Sequence, residues 1–174
     1  MSKDIDSGSP VERRLTALGL DLPNPFAPVG SYVNAVQAGE LLVLGGHVPV
    51  DTHDQVVFGK LGADLSVAAG REAARLAGLS ALSTIREVLG GLDRVRRILS
   101  LRGVVNATPD FLSHTQVIDG ASDVFIELFG DAGKHARLAV GVNSLPANIA
   151  LEIELLVEVD SGNPVWNIGD SSDS

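Results

Sequence analysis

The stretch HARLAVGVNSLPANIALEIELLVEV, residues 135–159, decides the fold. It contains two apolar runs separated by the turn pair Leu145–Pro146. Apolar runs of this length bounded by turn residues are typical of β-strands. Arg137 nevertheless lies near the start of the first run, and Glu152 and Glu154 lie two residues apart in the second. Either these side chains are solvated strand ends, or they frame a small anionic ligand.

Helical and extended segments alternate upstream of this stretch. Residues 116–130, QVIDGASDVFIELFG, predict a helix that ends at a glycine, and residues 94–107, RVRRILSLRGVVNA, predict a strand. The best helix is predicted over residues 63–91, with Asp64 as a candidate N-cap and a glycine pair as its end. One face of this helix carries apolar side chains at Val67, Ala74, Leu82, Ile85 and Leu89.

Short strands precede the long helix. Residues 31–51, SYVNAVQAGELLVLGGHVPVD, predict two strands joined at Gln37–Glu40. Residues 55–60, QVVFGK, predict a third strand after the turn Asp51–Asp54. A short helix over residues 11–19 is predicted in front of all of them.

The resulting order of elements is β-β-β-α-β-α-β-β, which predicts an α+β domain: a mixed six-stranded sheet with two main helices on one face. The other face of the sheet then lacks a cover. Because apolar residues occupy both faces in runs such as LLVL, VVF and LLVEV, that face must be buried as well. Self-association is the simplest way to bury it, so we expect a homo-oligomer.

Length and composition favour a single domain with two tails. The chain has 174 residues, of which 45% are hydrophobic and 20% charged, as in ordinary globular proteins. Residues 1–10 and 160–174 are rich in Ser, Asp and Gly, which predicts mobile tails, the second one acidic, on either side of a domain over residues 11–159. Trp166 is expected to dock locally.

Charge and residue types exclude several classes of function. The net charge of −9 disfavours nucleic acid as a partner, and the arginines of Asp93–Arg97 are more typical of a strand rim than of a binding stripe. The chain has no cysteine, and its four histidines show no metal-binding spacing, so we expect no metal site. No apolar run is long enough to cross a membrane and no leader is evident, so a cytoplasmic protein is expected.

Several pieces of the chain, in order, carry a resemblance to a known family. They are PVGSYVNAV, GGHVPVD, the long Ala-rich helix, VNATPDF and ARLAVGVNSLPANIALEIELLVEV, which together span residues 28–159. The chain resembles the YjgF/UK114 family, also called Rid for reactive intermediate deaminase. The N-terminal helix, the string IDGASD and the lack of cysteine are similar to a subgroup of longer, cysteine-lacking members.

This resemblance implies a chorismate-mutase-like fold and a homotrimer, with sheets around a central barrel and three clefts between subunits. It implies hydrolysis of enamines and imines of 2-amino acids to 2-keto acids and ammonia, with a small carboxylate as the ligand and neither a metal nor an organic cofactor. Two alternatives stay open: a trimer that binds or senses a small carboxylate without turnover, and an endoribonuclease, which the acidic composition disfavours.

Two charged residues match the family's motif. Arg137 stands where the family has a carboxylate-binding arginine, and a planar guanidinium offers two parallel donors to a carboxylate. The alternative is a strand-edge arginine paired with an acidic neighbour. Glu152 matches the glutamate assigned to activate water, which suits a general base. The alternative is a solvated rim shared with Glu154. Lys134 and His135 are expected to add positive charge beside the cleft.

The remaining site residues follow from the same comparison. Tyr32 matches a cleft tyrosine with a catalytic role, although plain packing explains it equally well. Ala139 stands where other members have a cysteine, and Gly45 and His47 stand where many have Ser-Gly-Gln. The resemblance implies that these three residues contact the substrate, whereas a lone histidine is also commonly structural. A helix-borne asparagine of the family falls near Ser122 or its neighbour Asp123, and Ser122 is taken as the substrate contact.

Overall fold

The structure is a computed structural model, and it describes residues 9–161. Three helices and five strands form the domain, together with three short 3-10 turns. In chain order, the elements are α1 (Pro10–Ala17), β1 (Ala35–Ala38), β2 (Leu41–His47), α2 (Val67–Leu89), β3 (Val95–Asn106), α3 (His114–Phe129), β4 (Ala136–Val142) and β5 (Leu151–Val159). The predictions made for residues 1–8 and 162–174, including Trp166, lie outside the described residues.

The strands form one mixed sheet in the order β1-β2-β5-β3-β4. Strands β3 and β4 are parallel, and all other neighbours are antiparallel. The α+β prediction is confirmed, as are the hairpin at residues 37–40 and the strands before and after α3. Strand β4 lies at an edge, so one side of its backbone has no strand partner among the described residues.

The strand predicted over residues 55–60, which would have made the sheet six-stranded, is wrong. Residues 55–60 make only isolated bridges, between Val50 and Val56 and between Phe58 and Ile149. The apolar run is only three residues long, and it is flanked by Asp54 at φ 60° and Gly59 at φ 118°. Positive φ values are incompatible with extended geometry, so the chain leaves the extended conformation on both sides of the run. The remaining segment is too short to form a continuous ladder of hydrogen bonds with another strand.

Helices α2 and α3 cover one face of the sheet. Helix α2 begins after Ser66, whose side chain accepts a hydrogen bond from the amide of Ala69, so Ser66 and not Asp64 is the N-cap. It ends at Gly90, which adopts the left-handed conformation at φ 76°. The face of β5 toward the helices is fully apolar and buried, with Leu151, Ile153, Leu155, Val157 and Val159.

The two helices pack closely where α3 carries a glycine. A Cβ atom on Gly120 would overlap the carbonyl oxygen of Arg71 on α2, whereas a Cβ on Gly78 would make ordinary contacts with Ala121. The short helix α1 closes this layer, because Leu15 is buried and the Arg14 side chain donates to the carbonyl oxygen of Glu127. The short helix predicted over residues 11–19 is therefore observed one to two residues earlier.

The opposite face of the sheet is open in the single chain. Its exposed apolar side chains come from three strands, β1, β2 and β4, and include Val36, Leu41, Val43, Leu138 and Val140. Helix coverage of one face and apolar exposure on the other agree with the pattern expected from the strand sequences. Among residues 9–161, no helix is long and apolar enough to cross a membrane.

Candidate functional site

Arg137 lies on β4 and faces the helices. It pairs in register with Leu101, a fully buried residue of β3. The Nη1 atom of Arg137 donates to Oδ1 of Asp119 at 2.6 Å and to Oγ of Ser122 at 3.0 Å. The arginine side chain retains 20% exposure. It is thus a strand-edge arginine with an acidic neighbour, yet part of its guanidinium still reaches the surface.

Ser122 connects the arginine to His135. Oγ of Ser122 lies 3.0 Å from Nε2 of His135, and Nδ1 of the same ring lies 2.6 Å from the carbonyl oxygen of Gly133. Since a carbonyl oxygen only accepts, Nδ1 carries the hydrogen and the neutral ring accepts at Nε2 from the serine hydroxyl. Burial lowers the pKa of His135. The hydrogen bond to Gly133 raises it in part, and the nearby charge of Arg137 lowers it further. The neutral ring therefore leaves Oγ of Ser122 free to accept from Arg137.

Of the two α3 residues considered, Ser122 is the one that contacts Arg137. Asp123, the neighbour considered with it, forms an ion pair with Arg71 on the outer side of α3. Ala139 lies two residues beyond Arg137 on the same side of β4 and pairs in register with Gly103. Further along the strand, a Cβ on Gly141 would overlap Nε2 of His114. The glycine therefore lets the His114 side chain, at the start of α3, pack directly against the edge strand.

Glu152 lies on the other face of the sheet. Its neighbours Leu151 and Ile153 are fully buried beneath the helices, so the half-buried glutamate points to the open face. A Cβ on Gly46 would lie 2.9 Å from Oε2 of Glu152, which places the carboxylate against the bulge in β2. Burial first, and then the charge of Glu154, raise the pKa of Glu152. A carboxylate of raised pKa is a better proton acceptor near neutral pH.

Gly45 and Tyr32 line two cavities that share Val33. The Gly45 amide donates to the carbonyl oxygen of Asn34 at 2.9 Å. Gly45 and Val33 border a cavity of about 470 Å³ on the open face, together with Arg102 and Glu154, which form an ion pair at 3.5 Å. The Tyr32 ring is 47% exposed and borders an adjoining cavity of about 260 Å³, and its hydroxyl accepts from the Val29 amide at 3.3 Å.

His47 does not reach either side of the sheet where a ligand would bind. The residue is fully buried, with Nδ1 2.9 Å from the carbonyl oxygen of Gly45 and Nε2 2.9 Å from Oγ1 of Thr84 on α2. Phe26 packs edge-on against the ring. Burial lowers the pKa of His47 to about 4. The assignment of His47 as a substrate contact is therefore replaced by its structural alternative.

The predicted residues form two groups rather than one site. The Arg137 half-site consists of Arg137, Ala139, Asp119, Ser122 and His135. The Glu152 half-site consists of Glu152 with Gly45 and Gly46 of the β2 bulge, whereas Tyr32 lines a separate cavity. Strand β3 separates the groups, and they lie on opposite faces of the sheet because Leu101 pairs with Arg137 whereas Val104 pairs with Glu152. Within one subunit, the arginine and the glutamate therefore face away from each other.

Comparison with known proteins identifies the chain at the level of family. Residues 12–159 match the profile described as YjgF/chorismate_mutase-like, putative endoribonuclease. The chain belongs to the YjgF family. It is 40% identical over 152 residues to Protein TCP17 of Trypanosoma cruzi, a match that covers 87% of this chain and 95% of TCP17.

Two solved structures share the fold of this YjgF-family chain. Atu1372 from Agrobacterium tumefaciens, described as having unknown function, is 38% identical, with a TM-score of 0.78 over 86% of this chain and 92% of that one. A putative endoribonuclease from Shewanella oneidensis is 35% identical, with a TM-score of 0.82 over 86% of this chain and 99% of that one. The matches extend over both half-sites, and the names of the relatives do not agree on an activity.

Asp119 is the site residue that the sequence reasoning missed. It precedes Ser122 by three positions on α3, and residues three apart lie on one face of a helix. The three-residue spacing in IDGAS therefore indicates that Asp119 lies beside Ser122. This can be used to predict a site residue only once it is known that Ser122 faces Arg137. Among residues 9–161, no group of three His, Asp or Glu side chains is arranged to hold a metal ion.

Proposed function

We propose that this YjgF-family chain is an enamine/imine deaminase, which hydrolyses 2-imino acids to 2-keto acids and ammonia. The site is composite: Arg137 of one subunit faces Glu152 of a neighbouring subunit in a homotrimer. The observation that carries the proposal is the separation of the two half-sites on opposite faces of one sheet. A ligand that needs both a guanidinium and a carboxylate can meet them only where two copies of the chain adjoin.

Arg137 fixes the substrate through its carboxylate. Both hydrogen bonds from the guanidinium to described residues use Nη1, so the edge formed by Nε and Nη2 is free among residues 9–161. That edge presents two parallel N–H groups, which match the two oxygens of a carboxylate. Because Asp119 and Ser122 hold Nη1 in place, the free edge is oriented before the ligand arrives. Ala139 contributes only backbone and a methyl group here.

Glu152 acts as the general base. Water adds to the carbon of the protonated imine, and its proton passes to the Glu152 carboxylate, which gives a tetrahedral carbinolamine. The same proton then returns to the nitrogen. The C–N bond breaks, ammonia leaves, and the hydroxyl proton of the carbinolamine passes to Glu152, which leaves the 2-keto acid. The raised pKa of Glu152 suits both transfers, because the group must accept a proton and release it again. Tyr32 lines a separate cavity of about 260 Å³, together with Glu87 of α2.

The apolar open face supports assembly. Val36, Val43 and Leu138 leave large fractions of their side chains in contact with water in the single chain. Burial of such a face between copies is favourable by about 25 cal/mol per Å² of apolar surface. The Glu152 half-site lies on this face, so the contact that buries the apolar residues also brings another subunit toward Glu152.

An endoribonuclease receives less support from the surface charges. The arginine-rich run at the start of β3 is already engaged by acidic side chains and carbonyl oxygens: Arg94 donates to Leu89 and Asp160, Arg96 to Asp160 and Glu40, and Arg97 to Asp131. Together with the net charge of −9, these contacts leave little free positive charge for a phosphate backbone.

The test is hydrolysis of freshly generated 2-iminopropanoate, followed by semicarbazide trapping of the remaining imine. We expect wild type to accelerate release of pyruvate and Arg137→Ala to lose that acceleration. Glu127→Gln, a change at an exposed position of α3, is the matched control and should keep wild-type activity. If wild type gives no acceleration but binds pyruvate through Arg137, the proposal of catalysis fails and carboxylate binding without turnover replaces it.

A further inference from the structure

Asp119 is the acidic partner of Arg137, and its effect on the site is more than positional. The carboxylate lies 2.6 Å from Nη1 of Arg137, in a pair whose side chains are 20% and 39% exposed. At such a distance and partial burial, the two charges largely cancel as seen by a ligand. The arginine thus offers directed hydrogen bonds to a carboxylate, while its positive charge is already balanced.

The surrounding charges extend this balance. Oδ2 of Asp119 lies 3.9 Å from Arg71, which is also paired with Asp123. Lys134, expected to add positive charge, is paired instead with Asp131 at 2.7 Å. Burial of the His135 ring, whose Nδ1 lies 2.6 Å from the carbonyl oxygen of Gly133, lowers its pKa and favours the neutral form. The Arg137 half-site therefore carries no net charge, and electrostatic focusing of anions toward it is absent.

We propose that Asp119 makes the site selective for zwitterionic carboxylates over simple anionic ones. The inference rests on the proposed function, in which Arg137 binds the ligand carboxylate. A protonated 2-imino acid carries an iminium cation beside its carboxylate, and so has no net charge, whereas the 2-keto acid product is an anion. Because the Arg137 half-site carries no net charge, it gives an anion no additional attraction. Glu152 of the neighbouring subunit attracts the iminium group of the substrate and repels the anionic product.

This selectivity has a consequence for turnover. Conversion of the iminium carbon to a carbonyl removes the positive charge that pairs with Glu152, while the carboxylate stays on Arg137. The product is then bound more weakly than the substrate by the same residues. Asp119 is a specificity-determining residue in this scheme: it sets the charge of the half-site without contacting the reacting carbon.

The test compares two stable probes, L-alanine as the zwitterion and pyruvate as the anion. Asp119→Asn removes the charge but keeps an oxygen that accepts from Nη1, so the orientation of Arg137 is retained. Titration calorimetry on the assembled protein gives the dissociation constant of each probe. We expect Asp119→Asn to lower the ratio of the pyruvate constant to the alanine constant by roughly three- to tenfold, the range of a partly exposed charge interaction.

The control and the contradicting results separate the two proposals. Glu127→Gln removes one negative charge from the same helix, two turns away, and should leave the ratio within twofold of wild type. A ratio unchanged in Asp119→Asn would overturn the selectivity inference, whether both probes weaken or both tighten. Loss of both probes in Arg137→Ala supports the binding role of Arg137. Wild-type binding of both probes by Arg137→Ala would overturn the proposed function itself.

Discussion

Because His47 is buried, we expect the free energy of unfolding to decrease in acid. Burial lowers the pKa of His47 from 6.5 to about 4, because the ring is enclosed between Gly45 and Thr84 and an imidazolium there would lose its hydration. The unfolded chain takes up a proton at this ring below about pH 6.5, whereas the folded chain does not until about pH 4. The contribution of His47 to stability is therefore complete above pH 6.5 and is lost as the pH falls.

The magnitude follows from the two pKa values. The difference in proton binding costs the folded state roughly 2 kcal/mol at pH 5 and roughly 3 kcal/mol at pH 4, relative to pH 8. Urea unfolding followed by far-ultraviolet circular dichroism measures this loss at each pH. The protein concentration must be the same in every experiment, because assembly couples stability to concentration.

His47→Gln isolates the contribution of this ring. The variant cannot ionise at position 47, so its free energy of unfolding should fall by roughly 2 kcal/mol less than that of wild type between pH 8 and pH 5. His53→Gln, in an exposed turn, keeps the buried ring and should follow the wild-type curve. Parallel losses in wild type and His47→Gln would refute the reasoning, because they would show that the buried ring is protonated as readily as in the unfolded chain.

Three further predictions follow from packing and charge. Gly120→Ala should destabilise the fold by about 3 kcal/mol or more, since the new Cβ meets the backbone of α2, whereas Gly78→Ala should be tolerated in a urea titration. If the open face is the proposed subunit interface, Val43→Glu should sediment as a monomer in analytical ultracentrifugation where wild type sediments as a trimer; an unchanged mass would exclude the open face as the interface. Because burial raises the pKa of Glu152, kcat/KM should fall with acidity at a pH above the usual glutamate range, and Glu152→Gln should leave only a small residual rate that lacks this acid limb. Retention of the limb in that variant would assign it to another group.

The sequence was sufficient to predict the order of most elements, because each element had its own hydrophobic periodicity and its own residues that end helices or form turns. Glycines in positive φ end α2 and turn the β1–β2 hairpin, and both positions were readable. The run at residues 55–60 had the composition of a strand, but composition does not reveal that the residues on both sides of it leave the extended region. Its length, and not its hydrophobicity, was the decisive property.

Which face each side chain occupies was much harder to predict. Period two from the buried Leu44 places His47 on the open face, yet the bulge at Gly45–Gly46 adds a residue and turns the histidine inward. Arg137 and Glu152 lie on different strands, and the loop between them does not preserve the alternation. Their separation on opposite faces follows from the register with β3, which is a tertiary property of the sheet.

The central claim is that Arg137 and Glu152 act together only across subunits, and subunit mixing tests it most directly. Arg137→Ala and Glu152→Gln chains are unfolded together in equal amounts, refolded, and assayed with 2-iminopropanoate. Each variant alone should be inactive. In randomly mixed trimers, about a quarter of the clefts combine an intact Arg137 from one chain with an intact Glu152 from the other, so about a quarter of wild-type activity should return. A mixture as inactive as the separate variants would contradict a site shared between subunits.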